Sequence, residues 1–450
     1  MKKMSLYSCL FNNADSYYLF NTETLIKAKI SHALYKDLKN CNFEGIDSKL
    51  LKILEEKKFI VEEEKQYDFF NKMEIETNRL NYDTNNMTLF LMPTIGCNFC
   101  CPYCFEGKKE NVSMDKKTIH NIIRFLNNSS AKELSLHWYG GEPLLRFDLM
   151  KKIYEGITKE TSLKLVSNSI ITNGYLINNA ILDFFKSTNM NKIQITLDGE
   201  KVTHDKKRHL KDNLEGTFDK IISNIKLLSK QLPKSHIYVR VNIDKNNYKE
   251  FVNIYHFLHN DCDFNNNIYV YPAVIKVYDK LGEKLVQKCF NNEELFCLFE
   301  YYKNNGCEVV FFPKEHKHTC SICNLYTYTI GPNGEIYKCP EDANQPKRII
   351  GNVNTDTIDN ESLLLEYIND SSQFKRQECK DCHCFPLCYG GCGKLYLKDK
   401  YFHGKINYCH PLKNIDALKR AFLDDIKNSE KSVNSNLQFE IYLKSATYRI

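Results

Sequence analysis

Nineteen cysteines in 450 residues are the side chains best equipped for chemistry here, and they are grouped. Cys97, Cys100, Cys101 and Cys104 share one short stretch, PTIGCNFCCPYCFEG. Nine more, Cys320, Cys323, Cys339, Cys379, Cys382, Cys384, Cys388, Cys392 and Cys409, fall between residues 320 and 409. The N-terminal stretch has two lysines but no continuous apolar run behind them, so no secretory signal is read and a cytoplasmic protein is expected. Disulfides seldom persist in that reducing compartment, which makes metal ligation the expected use of the grouped thiols. Cys9, Cys41, Cys262, Cys289, Cys297 and Cys307 are scattered and are expected to be ordinary small apolar side chains.

The spacing Cys97-x3-Cys101-x2-Cys104 supplies three thiolates, whereas a four-iron cluster normally takes four. Three ligands leave one iron open, and an open position is what separates a reactive metal site from a structural one. Zinc would need a fourth ligand; Cys100 could provide it, although C-x2-C-C-x2-C packs ligands awkwardly. A plain ferredoxin would favour C-x2-C-x2-C-x3-C-P. Taken alone, the C-terminal C-x2-C pairs could also form zinc ribbons.

These groups need a scaffold, and the chain predicts one. From about 86 to 310, apolar strand-like runs (87–93, 134–139, 164–173, 192–199, 237–243 and 267–275) alternate with amphipathic helical runs such as MDKKTIHNIIRFLNN and FDKIISNIKLLSK. Six βα units predict an α/β fold, a partial (β/α)6 TIM-like barrel, with its site at the C-terminal strand ends. The cysteine stretch at 97 directly follows the first of those strands. Residues 1–85 predict a small α+β, winged-helix-like module with strands around YSCLF and SYYLFNTETLIKAKI and helices starting at the N-caps Ser31 and Asp47. The stretch VEEEKQYDFFNKMEIETNRLN is read as an acidic, polar lead into the barrel. Residues 311–412 lose the alternation, and metal could replace a hydrophobic core there. Residues 413–450 predict a helical tail.

In this setting Cys97, Cys101 and Cys104, with Tyr103 before the last ligand, resemble the signature of the radical S-adenosylmethionine (SAM) superfamily. The resemblance implies that SAM chelates the open iron and that its one-electron reduction yields a 5′-deoxyadenosyl radical. WYGGEP resembles the family's Gly-Gly-Glu-Pro motif, which implies SAM contacts at Gly140, Gly141 and Glu142. ITNGYL matches a third strand end. ITLDGEKVTHDKKRHL resembles the strand-four segment, implying Thr196 and Asp198 at the site and Arg208 as a partner for the SAM carboxylate. VRVNID adds Arg240 and Asn242. Each could equally be an ordinary barrel polar residue.

The C-terminal cysteines resemble the SPASM twin-cluster extension of peptide-modifying radical SAM enzymes. That resemblance implies three 4Fe–4S clusters in all. Cys320, Cys323, Cys339 and Cys392 would hold auxiliary cluster I, and Cys379, Cys382, Cys388 and Cys409 auxiliary cluster II. Cys320 lies closer to Cys323 than the pattern leads one to expect, and Cys384 is read as a spare thiol. The first module is similar to peptide-recognition elements of enzymes that mature ribosomally made peptides. The implied function is a maturase that installs a thioether or carbon–carbon crosslink in a precursor peptide bearing a leader, fed by an electron donor such as flavodoxin or ferredoxin. Formylglycine formation of the sulfatase-maturase type is the alternative enzyme, and a non-enzymatic electron carrier the alternative of another class. No catalytic acid or base is identified. With a net charge of +6, no long basic block and no run of 18 apolar residues, neither nucleic-acid binding nor a membrane span is expected.

Overall fold

Along β7 (Glu133–Trp138) every second side chain, Leu134, Leu136 and Trp138, is fully buried, while Ser135 and His137 stay partly open. The same alternation runs through β9 (Lys192–Leu197) and β10 (His236–Ile243), where Ile193, Ile195, Leu197, Ile237, Val239 and Val241 form the packed face. A sheet whose one face is apolar must be covered there. The helices α4 (Lys116–Asn127), α5 (Phe147–Glu160), α6 (Asn179–Ser187), α8 (Phe218–Gln231) and α9 (Glu250–Asn260) do so, joining the strands in one hydrophobic cluster. Each buried Leu or Ile contributes about 1.5–3 kcal/mol.

This is a computed structural model that describes residues 1–104, 110–260, 265–275, 289–309, 312, 320–402, 406 and 408–431. Cys262, the boundary expected at 310/311 and the tail beyond 431 lie outside the described residues.

The six predicted strands are present as β6 (Asn86–Leu91), β7, β8 (Lys164–Thr172), β9, β10 and β11 (Ile268–Val274), parallel and adjacent in chain order. Pro272 is tolerated in β11 because, among the described residues, that strand is an edge, paired only with β10. The sheet does not stop at β6. β12 (Thr327–Ile330) runs parallel to β6, and β13 (Glu335–Tyr337) and β14 (Gly351–Asn352) add an antiparallel edge. The C-terminal segment was expected to lack such regularity. Its first strands are too short for a clear alternation, and all four residues of β12 are buried. The short helix α7 (Lys201–Lys207) was also not predicted; its seven residues carry no side-chain N-cap.

The first module holds a meander of β2 (Ser8–Asn13), β3 (Ser16–Asn21) and β4 (Lys27–Ile30), and a ribbon of β1 (Lys2–Met4) with β5 (Ile60–Glu62). Ser31 and Asp47 cap α1 (His32–Lys39) and α2 (Ser48–Glu56) as predicted, accepting from the backbone amides of Leu34 and of Lys49 and Leu50. The acidic stretch is a correction: it forms α3 (Asp68–Asn81), a 14-residue helix. Its apolar residues crowd the first turns, where Phe69 meets Tyr7 at 5.3 Å and Phe70 meets Phe385 at 4.8 Å between ring centroids. Packing to a distant segment stabilises this helix, so no long apolar stripe is needed.

The helix Ile415–Lys431 fastens one side of the module. Phe422 lies 5.2, 5.5 and 5.4 Å from the rings of Phe11, Tyr18 and Phe20. Leu418 and Ala421 complete this cluster with Phe296 and Phe312, and Lys27 pairs with Asp425 at its rim. Phe422→Ala is therefore expected to cost about 3–5 kcal/mol. Limited proteolysis should show faster cleavage between the module and the sheet, with a lowered Tm.

Candidate active site and cysteine sets

The loop after β6 carries Cys97, Cys101 and Cys104 and is pinned from three sides. Thr94 donates its hydroxyl to the Val112 carbonyl at 2.7 Å, Glu142 donates its amide to the Gly96 carbonyl at 2.8 Å, and Lys211 donates its amide to the Asn98 carbonyl at 2.8 Å. Gly140 and Gly141 make the middle contact possible. A Cβ on Gly141 would lie 2.2 Å from the Gly96 carbonyl oxygen, and Gly140, at φ +121°, would meet the Thr94 carbonyl at 2.4 Å. The close approach these glycines permit is thus of one loop backbone to another. The Glu142 carboxylate is fully buried and accepts from the Leu144 amide (3.0 Å), the Thr172 hydroxyl (2.7 Å) and the Asn173 amide (2.7 Å).

Beyond this clamp the remaining predicted SAM residues converge. Tyr103 donates its hydroxyl to Asp198 Oδ1 at 2.6 Å, while Arg208 and Asn242 donate to the Tyr103 oxygen at 3.1 and 3.2 Å. Asn242 also reaches Asp198 Oδ1 at 3.3 Å, and Arg240 Nε donates to Asn242 Oδ1 at 3.0 Å. Thr196 stands beside Arg240 in the β9–β10 register. Arg208 packs its guanidinium 5.5 Å over the Phe99 ring. Burial pushes the Asp198 carboxyl up despite the opposing Arg208, and burial together with Asp198 pushes the Tyr103 phenol well up. The Cys101 thiol lies within electrostatic reach of both Arg208 and Tyr103, so the cysteine loop and the polar web share one site.

Three buried atoms of this site, Asp198 Oδ2, Arg208 Nε and Asn98 Nδ2, have no hydrogen-bond partner among the described residues. Orphaned buried polar atoms call for an explanation, and an acceptor beside donors suits a zwitterionic, hydroxyl-bearing ligand such as SAM. Sequence reasoning missed Asn98, Asn173 and His204. Asn173 donates to Asn98 Oδ1 at 2.8 Å, and its one signal was its place in ITNGYL. Buried His204, kept neutral by desolvation, accepts the Asp198 amide at 3.3 Å and fixes where that carboxylate starts.

The C-terminal thiols fall into two sets. Cys320 is within electrostatic reach of Cys323 and Cys392, and Cys339 of Cys320. Fully buried Lys338 closes this set from beneath, donating to the carbonyls of Asn324 and Thr327, and burial pulls its ammonium down to about 7. Cys379, Cys382, Cys384, Cys388 and Cys409 line one cavity with Gly390 and Lys413, whose ammonium donates to Cys409 Sγ at 3.5 Å. Cys384 is fully buried in the apolar cluster that holds Cys9 and Leu387. All described cysteines are free thiols, and no three His, Cys, Asp or Glu among the described residues draw together tightly enough for a single metal ion. Several thiols ringing one cavity suit a larger inorganic group. Of the scattered cysteines, Cys9 and Cys307 are buried as expected, but Cys41 and Cys297 are exposed, which corrects the apolar reading for those two.

Residues 91–258 match the sequence model of the Radical SAM superfamily, and the chain is a radical SAM enzyme. Among curated proteins it is 27% identical over 338 residues to a cysteine-type anaerobic sulfatase-maturating enzyme of Clostridium novyi, covering 68% of this chain and 88% of that one. It is 24% identical over 366 residues, 71% of each chain, to the radical SAM cyclopropyl synthase TigE of Paramaledivibacter caminithermalis. The solved structure of native anSMEcpe with bound AdoMet and Kp18Cys peptide aligns with a TM-score of 0.58 at 21% identity, over 77% of this chain and 100% of that one, a likeness of fold. Among the described residues no helix is long and apolar enough to cross a membrane.

Glu142→Ala leaves the Leu144 and Asn173 amides and the Thr172 hydroxyl without their acceptor. At about 1–3 kcal/mol for each unsatisfied buried group, a loss of about 3 kcal/mol or more is expected by denaturant titration, with Tm falling in parallel.

Proposed function

We propose that this chain is a peptide maturase carrying three 4Fe–4S clusters and SAM. Cys97, Cys101 and Cys104 would hold the SAM cluster, Cys320, Cys323, Cys339 and Cys392 auxiliary cluster I, and Cys379, Cys382, Cys388 and Cys409 auxiliary cluster II. Held beside that cluster, SAM would supply the radical chemistry of hydrogen-atom abstraction. The chain's own residues orient it. Asp198 Oδ2 is free to accept from the ligand and Arg208 Nε to donate to its carboxylate. Tyr103 and Asn242 hold those two side chains in place. Gly140, Gly141 and Glu142 fix the cysteine loop against the strand ends, and Thr196 and Arg240 line the approach.

The observation that carries the peptide reading is where the first module docks. Thr22 donates to the His383 carbonyl at 2.6 Å, Tyr67 donates to Asp381 at 2.8 Å, and Tyr7 and Phe70 pack with Cys379 and Phe385. A mere cap on the parallel sheet would lie against that sheet; this module lies against the segment proposed to hold auxiliary cluster II. Among the described residues β4 pairs on one side only, which leaves an edge to which an extended leader can add as a strand. The sulfatase-maturating relative is matched over 88% of its length yet covers 68% of this chain, so this chain holds residues beyond that enzyme's plan. A thioether or carbon–carbon crosslink in a ribosomally made precursor is the product that fits, with flavodoxin or ferredoxin as electron donor and the cytoplasm as its place. The relatives' names favour a second reading, formylglycine formation.

Anaerobic reconstitution of the full chain is expected to give about twelve irons, and Cys97→Ala, Cys101→Ala, Cys104→Ala together about eight with no SAM cleavage. Stoichiometric zinc with little iron would overturn the clusters. A leader-bearing peptide should be turned over with kcat/KM at least about tenfold above its leaderless core, roughly 1.4 kcal/mol of remote binding energy. Equal turnover removes the recognition role. Product analysis separates the two readings, since formylglycine is captured by hydrazine reagents and a crosslink is not.

A further inference from the structure

Arg376 is 2% exposed, a costly place for a permanent cation. Its guanidinium donates to the Gly390 carbonyl at 2.8 Å and to the Ser371 carbonyl, and it lies 3.7 Å over the Tyr396 ring and 5.6 Å from that of Tyr408. Three of these neighbours lead to a proposed cluster ligand. The Ser371 hydroxyl is 3.0 Å from Cys323 Sγ. Gly390 stands between Cys388 and Cys392, and Tyr408 precedes Cys409. The Cys379 amide donates to the carbonyl of Arg376 itself at 3.0 Å. Both sets are thus reached from one side chain. Among the described residues no carboxylate pairs with Arg376. Four thiolates around four irons carry net negative charge, so loaded clusters would provide on both sides the counter-charge this cation needs.

We propose that Arg376 is a positioning residue, the shared counter-cation of the two auxiliary clusters, and that it raises both reduction potentials. This rests on the twin-cluster reading above. A nearby positive charge favours the more negative, reduced form of a cluster, which makes both clusters better acceptors for the electron left when the substrate radical closes its new bond.

The test uses the full chain in the Cys97→Ala, Cys101→Ala, Cys104→Ala background, so that only the auxiliary signals remain. Arg376→Gln and Arg376→Lys are loaded with iron, and each cluster is followed by electron paramagnetic resonance during a potentiometric titration. Arg376→Gln is expected to shift both midpoints downward and Arg376→Lys to keep both near native. Unmoved midpoints in an iron-replete Arg376→Gln protein overturn the inference, as does a shift in one cluster alone. If Arg376→Gln fails to hold iron, Arg376→Lys decides: retained iron with native midpoints supports the charge role, and loss of iron there too overturns it. A reference protein with four or fewer auxiliary irons would fail the twin-cluster reading itself, a different result from any of these.

Discussion

The carboxylate of Glu142 is the constraint on which the active end of this fold depends. It is fully buried and joins the ends of β7 and β8 through Leu144, Thr172 and Asn173, while its own amide holds the cysteine loop at Gly96. Three strand ends that could drift independently are thereby tied at one point. A carboxylate suits this task because it offers several acceptor positions at once, and hydrogen bonds to a charged acceptor are roughly twice as strong as neutral ones. Its neighbours must be small, and Gly140 and Gly141 are: any Cβ there would strike the loop that Glu142 holds.

The polar web sits just beyond this tie and inherits its geometry. Asp198 leaves β9, Asn242 belongs to β10, Tyr103 to the cysteine loop and Arg208 to the end of α7, yet all meet within hydrogen-bond distance of one phenol. Such a meeting of side chains far apart in the chain is what the parallel sheet provides, since each strand delivers its last residue to the same rim.

Period and spacing made much of this legible. Apolar runs between helical ones marked all six strands, Ser31 and Asp47 marked two helix starts, and C-x3-C-x2-C marked the first cysteine loop. What escaped has physical causes. α3 is held by aromatic contacts with a segment some 300 residues away, which no local pattern records. β12 to β14 are too short to alternate and owe their place to pairing with β6. Glu142 was found as a motif member, but its tie to Leu144, Thr172 and Asn173 was not, because sequence gives a residue's type and not its direction. Asn98 and His204 had no signal beyond their place in quoted motifs, since a lone polar residue is distinguished only by what it touches.

The pairing of β12 with β6 has a consequence for recombining such enzymes. The strand that opens the C-terminal half is hydrogen-bonded to the strand that launches the first cysteine loop, residue for residue from Thr88 to Leu91. The two halves therefore share a seam rather than a linker. A chimera cut between β11 and β12 would bring a foreign partner to β6, and a mismatch of one residue in that pairing would turn every side chain of the borrowed strand to the opposite face. Exchange of C-terminal halves between relatives should succeed only where this four-residue register is carried across with them.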